Sequence, residues 1–177
     1  MLDLIGSIIG LFGQAEVTVG VAVGLAVARA RRSGAAGIVP LFILLTLAIE
    51  AVLKLTVPHP APPFDRSRTV ELIPFVHVSF AGSFPSGHVA RLTFLAGIVR
   101  GIPFWLRAAA VLLMVLSRLY LGEHWLSDCL GGLALGYAVS EAARGLEGLI
   151  LKRSTHIGER SPTYSLGATD DSAQEGR

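Results

Sequence analysis

Long apolar segments alternate with short polar or proline-rich stretches along the whole chain. A helix that crosses a membrane needs about 20 predominantly apolar residues, and five segments approach that length. They are predicted at 14–31, 36–57, 85–100, 104–121 and 124–151. The pattern therefore predicts an all-α fold, an integral membrane helical bundle of about five spanning helices.

The segments between and beside these helices are too short or too polar to cross a membrane. Residues 1–13 are apolar but short, which predicts an interfacial or partly embedded N-terminal helix. Residues 58–84 contain no long apolar run and are predicted to form an extramembrane loop. We expect one domain over residues 1–153, followed by a polar, disordered cytoplasmic tail at 154–177.

Basic residues beside the predicted spans give the bundle an orientation. Cytoplasmic loops are enriched in Lys and Arg, and three basic clusters fall on the same side of a five-span chain. The clusters are Arg29, Arg31 and Arg32; Arg100 and Arg107; and Lys152 and Arg153. The loop at 58–84 and the short link at 121–124 should then face outward, in a multi-pass protein of the cell membrane.

Composition agrees with a membrane protein and excludes several other classes. Hydrophobic residues make up 52% of the 177 residues and charged residues only 16%, against about 25% charged in soluble domains. A net charge of +2 is too small to suggest a nucleic-acid partner. The single cysteine, Cys129, excludes an intrachain disulfide. We see no cysteine cluster, paired acids or metalloprotease motif, so we expect neither a metal nor another cofactor.

Polar residues collect at the outward ends of four predicted spans. Polar groups within a membrane are expensive and usually functional. The residues are Lys54 at the end of the second span; Ser86, Gly87 and His88 at the start of the third; Arg118 near the end of the fourth; and His124 and Asp128 at the start of the fifth. Their convergence on one membrane face predicts an active site there.

His124 and Asp128 are four residues apart, which places them on one face of a helix. A carboxylate there can accept a hydrogen bond from one imidazole nitrogen and leave the other nitrogen free to attack. Such a pair can also be purely structural. His88 is placed to donate a proton to a leaving oxygen, or it is simply an interfacial histidine.

The other residues suit a phosphate group. Ser86 and Gly87 lie in the first turn of a predicted helix, where unpaired N–H groups and the helix dipole favour anions. Lys54 and Arg118 add positive charge, and arginine can bind two oxygens at once. Lys54 can instead extend to the membrane surface or pair with Glu50, one turn earlier.

The motif Pro85-Ser86-Gly87-His88, followed by Ser117-Arg118, five residues, His124, three residues and Asp128, resembles the type 2 phosphatidic acid phosphatase family. These membrane lipid phosphatases share a helical core with vanadium haloperoxidases. The resemblance implies that His124 is the nucleophile that becomes phosphorylated and that Asp128 orients it. It further implies that His88 protonates the leaving group and then activates water. The implied phosphate-binding residues are Lys54, Ser86, Gly87 and Arg118.

One position departs from the family motif. The family has Lys, six residues, then Arg-Pro, whereas Lys54 here is followed after six residues by Ala61-Pro62. Arg91, Arg66 and Arg68 are the candidates to replace the missing arginine. We favour Arg91 as a phosphate-binding residue, since it is otherwise a costly charge in a spanning helix. Extension to the membrane surface or pairing with Glu50 are the alternatives.

The expected activity is hydrolysis of a lipid phosphate or diphosphate ester. We favour a polyprenyl diphosphate such as undecaprenyl diphosphate, because the site faces outward on a minimal scaffold. Phosphatidylglycerophosphate and phosphatidic acid remain open, as does transfer of the phosphate to another lipid. A non-hydrolytic lipid-binding or lipid-transport protein on the same fold is the alternative. The expected partners are the lipid phosphate substrate and membrane lipids, and self-association is left open.

Overall fold

The computed structural model describes residues 1–70, 72 and 82–159, and this part of the chain is all-helical. The α helices are α1 (Leu2–Leu11), α2 (Ala15–Ser33), α3 (Ile43–Thr56), α4 (Gly87–Ile98), α5 (Phe104–Tyr120) and α6 (Leu126–Glu159). Two 3₁₀ segments, Gly34–Phe42 and Phe64–Arg66, complete the helical elements. The prediction of an all-α fold is therefore confirmed for the described residues.

The chain reverses direction between α2 and α3. Gly34 has a φ of +57°, a left-handed conformation that glycine adopts without strain. Gly37 then packs so closely on α2 that a Cβ there would lie 2.6 Å from that of Ala30. Pro40 lacks an N–H group and lies within the 3₁₀ segment. The predicted second span at 36–57 is thus a 3₁₀ segment followed by α3.

By length and composition, one helical stretch among the described residues can cross a membrane. It is Ala15–Thr56, with a mean hydropathy of 2.4 over its most apolar window. The apolar helix α1 is shorter, and α4 has 12 residues, or about 18 Å of helix. The count of five spanning helices remains a prediction.

Several helices begin or end at residues other than those predicted. The third span was expected to begin at Pro85, but α4 begins at Gly87 with Ser86 as its N-cap. The fifth was expected at 124–151, but α6 begins at Leu126 and continues to Glu159, so six residues assigned to the polar tail are helical. The rest of that tail, 160–177, lies outside the described residues, as do 71 and 73–81 of the predicted loop.

Helix α4 forms the centre of the bundle, since none of its residues is exposed. Its buried side chains Phe94, Leu95 and Ile98 pack with residues of α2, α3 and α6, and its other side packs on α5 through Met114 and Val115. The motif residues at its first turn are thereby held in a rigid, buried position.

Two glycines bring α6 against α4. A Cβ on Gly132 would lie 2.6 Å from the carbonyl oxygen of Ser86, and one on Gly136 would overlap the backbone at Ala90. Such small residues allow close helix packing. At the equally spaced Gly20 and Gly24, an added Cβ would meet nothing within 4 Å among the described residues, so equal spacing marks a packed face only in α6.

Candidate active site

The predicted histidine and aspartate pair forms, but not on a shared helix face. His124 lies before α6, in the turn that follows Gly122, whose φ is +70°. Asp128, fully buried in the first turn of α6, reaches back so that its Oδ2 lies 3.2 Å from His124 Nδ1. The same oxygen accepts a hydrogen bond of 3.0 Å from the backbone N–H of Trp125. One carboxylate oxygen of Asp128 therefore both caps the N-terminus of α6 and fixes the orientation of the His124 imidazole.

His88 lies in the first turn of α4 and faces the α1–α2 link. Its Nε2 lies 2.9 Å from Gln14 Oε1, so the tautomer with its proton on Nε2 donates to this oxygen. Electrostatic interactions connect His88 with Arg118, Arg91, His124 and Lys54. The structure thus brings together residues of the four sequence segments that the motif had grouped.

The start of α4 is packed against two other helices. The buried Ser86 donates its backbone N–H to the carbonyl oxygen of Asp128 at 2.9 Å. Gly87 lies against the Glu50 carboxylate, which a Cβ at this position would overlap. A carboxylate of α3 therefore lies at the N-terminus of α4, the place where an anion is most favoured.

Arg118 is 3% exposed and held by groups from three segments. Its Nη1 donates to Glu123 Oε2, and its Nη2 donates to Ser117 Oγ at 3.1 Å. Ser117 in turn donates to the carbonyl oxygen of Gly6 at 2.8 Å. These contacts give Ser117 a packing role between α1 and α5.

Arg91 forms an ion pair with Glu50, which lies one helical turn before Lys54. Its Nη1 lies 2.5 Å from Glu50 Oε2 and its Nε donates to the carbonyl oxygen of Gly13 at 3.0 Å. The other carboxylate oxygen, Glu50 Oε1, lies 3.0 Å from Lys54 Nζ. Glu50 thus bridges two cations, the arrangement that the pairing alternative for Arg91 requires.

The N-terminal segment contributes contacts that the sequence did not predict. Gly10 lies against the Arg118 guanidinium, which a Cβ would overlap, and a Cβ on Gly13 would lie 2.8 Å from His88 Cβ. With Gln14, these residues line the side of the site formed by α1 and the α1–α2 link. Glycines at positions 6, 10 and 13 were the only sequence signal for such a close approach.

The loop after α3 reaches the far side of Asp128. His59 Nδ1 lies 3.7 Å from Asp128 Oδ1, and its Nε2 lies 3.1 Å from Ser127 Oγ. Ala61, at the position of the missing arginine, is exposed. Of the other replacement candidates, Arg68 stacks on Tyr120, with Cζ 5.4 Å from the ring centroid, and Arg66 is exposed.

Two buried donors at the site lack a hydrogen-bond partner among the described residues. They are Ser86 Oγ and Arg118 Nε. Buried polar groups in native proteins are nearly always paired, so both are suited to an anionic ligand. Among the residues that the structure describes, no group of three or more His, Cys, Asp or Glu side chains could hold a metal ion. The arrangement suits binding a phosphate and attacking it with an imidazole.

Comparisons with known proteins agree with this geometry. A family model described as the PAP2 superfamily matches residues 35–144, which include Lys54 and every motif residue up to Asp128. The chain is similar to the solved structure of "the first transmembrane PAP2 type phosphatidylglycerolphosphate phosphatase from Bacillus subtilis". The TM-score is 0.68 and the identity 24%, over 84% of this chain and 78% of the other. No curated protein matches the chain.

Proposed function

The chain belongs to the PAP2 superfamily, and from this premise we propose that it is a membrane phosphatase that hydrolyses a lipid phosphate or diphosphate ester. The observation that carries the proposal is the buried cluster at the start of α4 and α6. There an oriented imidazole, a second imidazole and several cations interact. This is the set of groups that phosphoryl transfer requires.

The membrane location is supported by the outer surface of the bundle. Large apolar side chains such as Leu55, Phe104, Trp105, Tyr137 and Leu149 are between 63% and 77% exposed. Soluble monomers rarely expose large contiguous apolar patches. The stretch Ala15–Thr56 also has the length and hydropathy of membrane segments. We therefore place these faces in lipid.

In the first chemical step, His124 is the nucleophile. Asp128 accepts a hydrogen bond from the Nδ1–H group of His124 and leaves the Nε2 lone pair free to attack phosphorus. The N–P bond forms as the bond from phosphorus to the leaving oxygen breaks. The protonated form of His88 donates a proton to that oxygen, which gives a phosphohistidine and a free alcohol or lipid monophosphate.

In the second step, water hydrolyses the phosphohistidine. Neutral His88 accepts a proton from the water, whose oxygen attacks phosphorus as the N–P bond to His124 breaks. Inorganic phosphate leaves and His88 is again protonated for the next cycle. Gln14 holds the His88 ring through Nε2, so we assign it a positioning role in both proton transfers.

The phosphate-binding groups are Lys54, Arg118, Ser86 and the N-terminal turn at Gly87. Lys54 and Arg118 are paired with Glu50 and Glu123 respectively, so a bound phosphate shares these cations with carboxylates. A phosphate also supplies acceptors for Ser86 Oγ and Arg118 Nε. Arg91 acts here through Glu50, which leaves the position of the family arginine without a cationic side chain at Ala61.

A polyprenyl diphosphate is our first choice of substrate, because the basic clusters favour a site on the outer membrane face. Phosphatidylglycerophosphate is the second, as it is the substrate named for the similar solved structure. A substrate panel tests the activity itself. Purified protein in detergent is given undecaprenyl diphosphate, phosphatidylglycerophosphate or phosphatidic acid, with and without EDTA, and released phosphate is measured.

We expect phosphate release from at least one of these lipids and no loss of rate in EDTA. Loss of activity in EDTA that returns with a divalent cation would contradict the metal-free mechanism. No release from any lipid, together with tight lipid binding, would favour the non-hydrolytic lipid-binding alternative. Appearance of a new lipid phosphate in place of free phosphate would show transfer.

Topology gives a second prediction. With Cys129 replaced by Ala, a cysteine at the exposed Asp65 should react with an impermeant thiol reagent added to intact cells. A cysteine at the exposed Arg153 should react only after lysis, because basic flanks stay cytoplasmic. The reverse labelling pattern would place the active site on the cytoplasmic face and remove the case for an external substrate.

A further inference from the structure

A cavity lies at the opposite end of α4 from the candidate catalytic histidines. Its volume is about 290 Å³, and Val99 on its wall follows His88 by about 16 Å along the helix axis. Its walls come from α2, the following 3₁₀ segment, the end of α4 and α6. We call it the arginine pocket; it is lined by Leu25, Ala28, Arg29, Arg32, Ser33, Ala36, Val99, Arg100 and Glu147.

The arginine pocket carries more positive than negative charge. Three arginines line it against one carboxylate, that of Glu147, which is 5% exposed. Glu147 Oε2 accepts a hydrogen bond of 2.8 Å from Arg100, and Glu147 Oε1 lies 3.7 Å from Arg29 Nη1. One carboxylate cannot neutralise three guanidinium groups, so a formal charge of +2 remains (three positive, one negative).

A structural role accounts for Arg29, one of the three pocket arginines, and Arg107, which is not part of the pocket lining, shares that role. Arg29 Nη2 donates to the carbonyl oxygen of Ile98 at 2.5 Å, and Arg107 Nη1 donates to that of Ala96 at 2.6 Å. Both arginines therefore satisfy the carbonyl end of α4, where cations are favoured. Arg100 is paired with Glu147. Arg32 is therefore the pocket arginine for which the described residues supply neither a carbonyl nor a carboxylate partner.

One buried donor is also unsatisfied. Arg29 Nη1 is buried and has no hydrogen-bond partner among the described residues, since its distance to Glu147 is too long for a hydrogen bond. An anion in the pocket would accept from this group and from Arg32 together. Arginine is the residue best suited to bind phosphate oxygens through two parallel hydrogen bonds.

We propose that the arginine pocket binds the phosphate group of an anionic ligand. Its apolar walls at Leu25, Ala28 and Val99 lie beside the exposed apolar face of α2, which favours a phospholipid headgroup over free phosphate. Basic pockets between helices on the cytoplasmic side of a membrane bind such headgroups. This pocket is separate from the catalytic site, and binding there does not depend on hydrolysis.

The test compares two neighbouring arginines of α2. Arg32 lines the pocket, whereas Arg31 does not, and both are exposed. Arg32→Glu and Arg31→Glu therefore make the same charge change one residue apart. Binding of short-chain phosphatidylglycerol and of inorganic phosphate to the full chain in neutral detergent is measured by calorimetric titration, with Lys54→Ala to report any binding at the catalytic site.

We expect Arg32→Glu to weaken phosphatidylglycerol binding by about tenfold or more, which is the effect of losing a charge-assisted hydrogen bond to the phosphate. Arg31→Glu should change it less than about twofold, and Lys54→Ala should leave it unchanged. If inorganic phosphate binds more weakly than the lipid, the pocket recognises the phospholipid headgroup. If the two bind equally, the pocket recognises the phosphate group alone.

Equal effects of Arg32→Glu and Arg31→Glu would overturn the proposal, because they would reflect net charge only. So would binding lost in Lys54→Ala, which would assign the lipid to the catalytic site. If Arg32→Glu fails to fold, Arg32→Gln and Arg100→Gln are compared with Arg31→Gln. Unchanged binding in both pocket variants would then refute the site.

Discussion

Replacement of His124 by alanine is expected to lower the rate of phosphate release by about 10⁴-fold or more, as removal of an enzyme nucleophile does. The physical reason is that Asp128 orients this imidazole for attack through Nδ1. Phosphate release from the preferred lipid, measured with purified wild type and variant, checks the expectation. An acid-labile phosphoenzyme should form in wild type and be absent from His124→Ala.

Asp128→Asn separates orientation of the imidazole from stability of α6. The amide oxygen of Asn can still accept from the Trp125 N–H and keep the helix cap, so the thermal midpoint should change little. Turnover should fall by roughly 10²- to 10⁴-fold, since the neutral amide lacks the carboxylate charge that stabilises the imidazole as it becomes positive. Near-normal turnover of His124→Ala would refute the nucleophile assignment, whatever the behaviour of Asp128→Asn.

The fold was predictable to the extent that hydropathy determines helices. Apolar runs located α2, α3, α5 and α6, because burial and lipid exposure select the same residue types over a whole helix. Helix starts were less predictable. His124 was assigned to a helix by its spacing from Asp128, but the glycine turn at Gly122 and the Asp128 cap begin α6 two residues later.

The candidate site residues could be grouped from the sequence, because the predicted spans bring them to one membrane face and their spacing resembles a family motif. Their partners could not be predicted. Gln14 meets His88 across 74 residues and Arg91 meets Gly13 across 78, and no local pattern encodes contacts at such separations. The N-terminal helix, expected to be interfacial or partly embedded, contacts the candidate site because Gly6 and Gly10 allow close packing against Leu121 and Arg118.

Loss of the Arg91 guanidinium is expected to destabilise the protein strongly, which is the second large effect. Arg91 and Glu50 have side chains that are only 7% and 8% exposed, and breaking a buried ion pair costs about 3–5 kcal/mol. The midpoint of thermal unfolding in detergent should fall by about 6 to 20 °C in Arg91→Ala. Arg144→Ala, which breaks an exposed pair with Glu141, is the matched control and should change the midpoint little.

The turnover of Arg91→Ala then decides between two roles of Arg91, which are pairing with Glu50 and binding the substrate phosphate. If Arg91 acts through Glu50, the folded variant should keep more activity than Arg118→Ala, and removal of both charges in Glu50→Gln/Arg91→Gln should recover part of the lost stability. If Arg91 binds phosphate, turnover should fall as far as in Arg118→Ala, and Ala61→Arg should partly restore it. A variant with normal stability and normal turnover would refute both roles and direct attention to Arg66 and Arg68. Glu50 already bridges Arg91 and Lys54 at 2.5 and 3.0 Å, so we expect the first outcome.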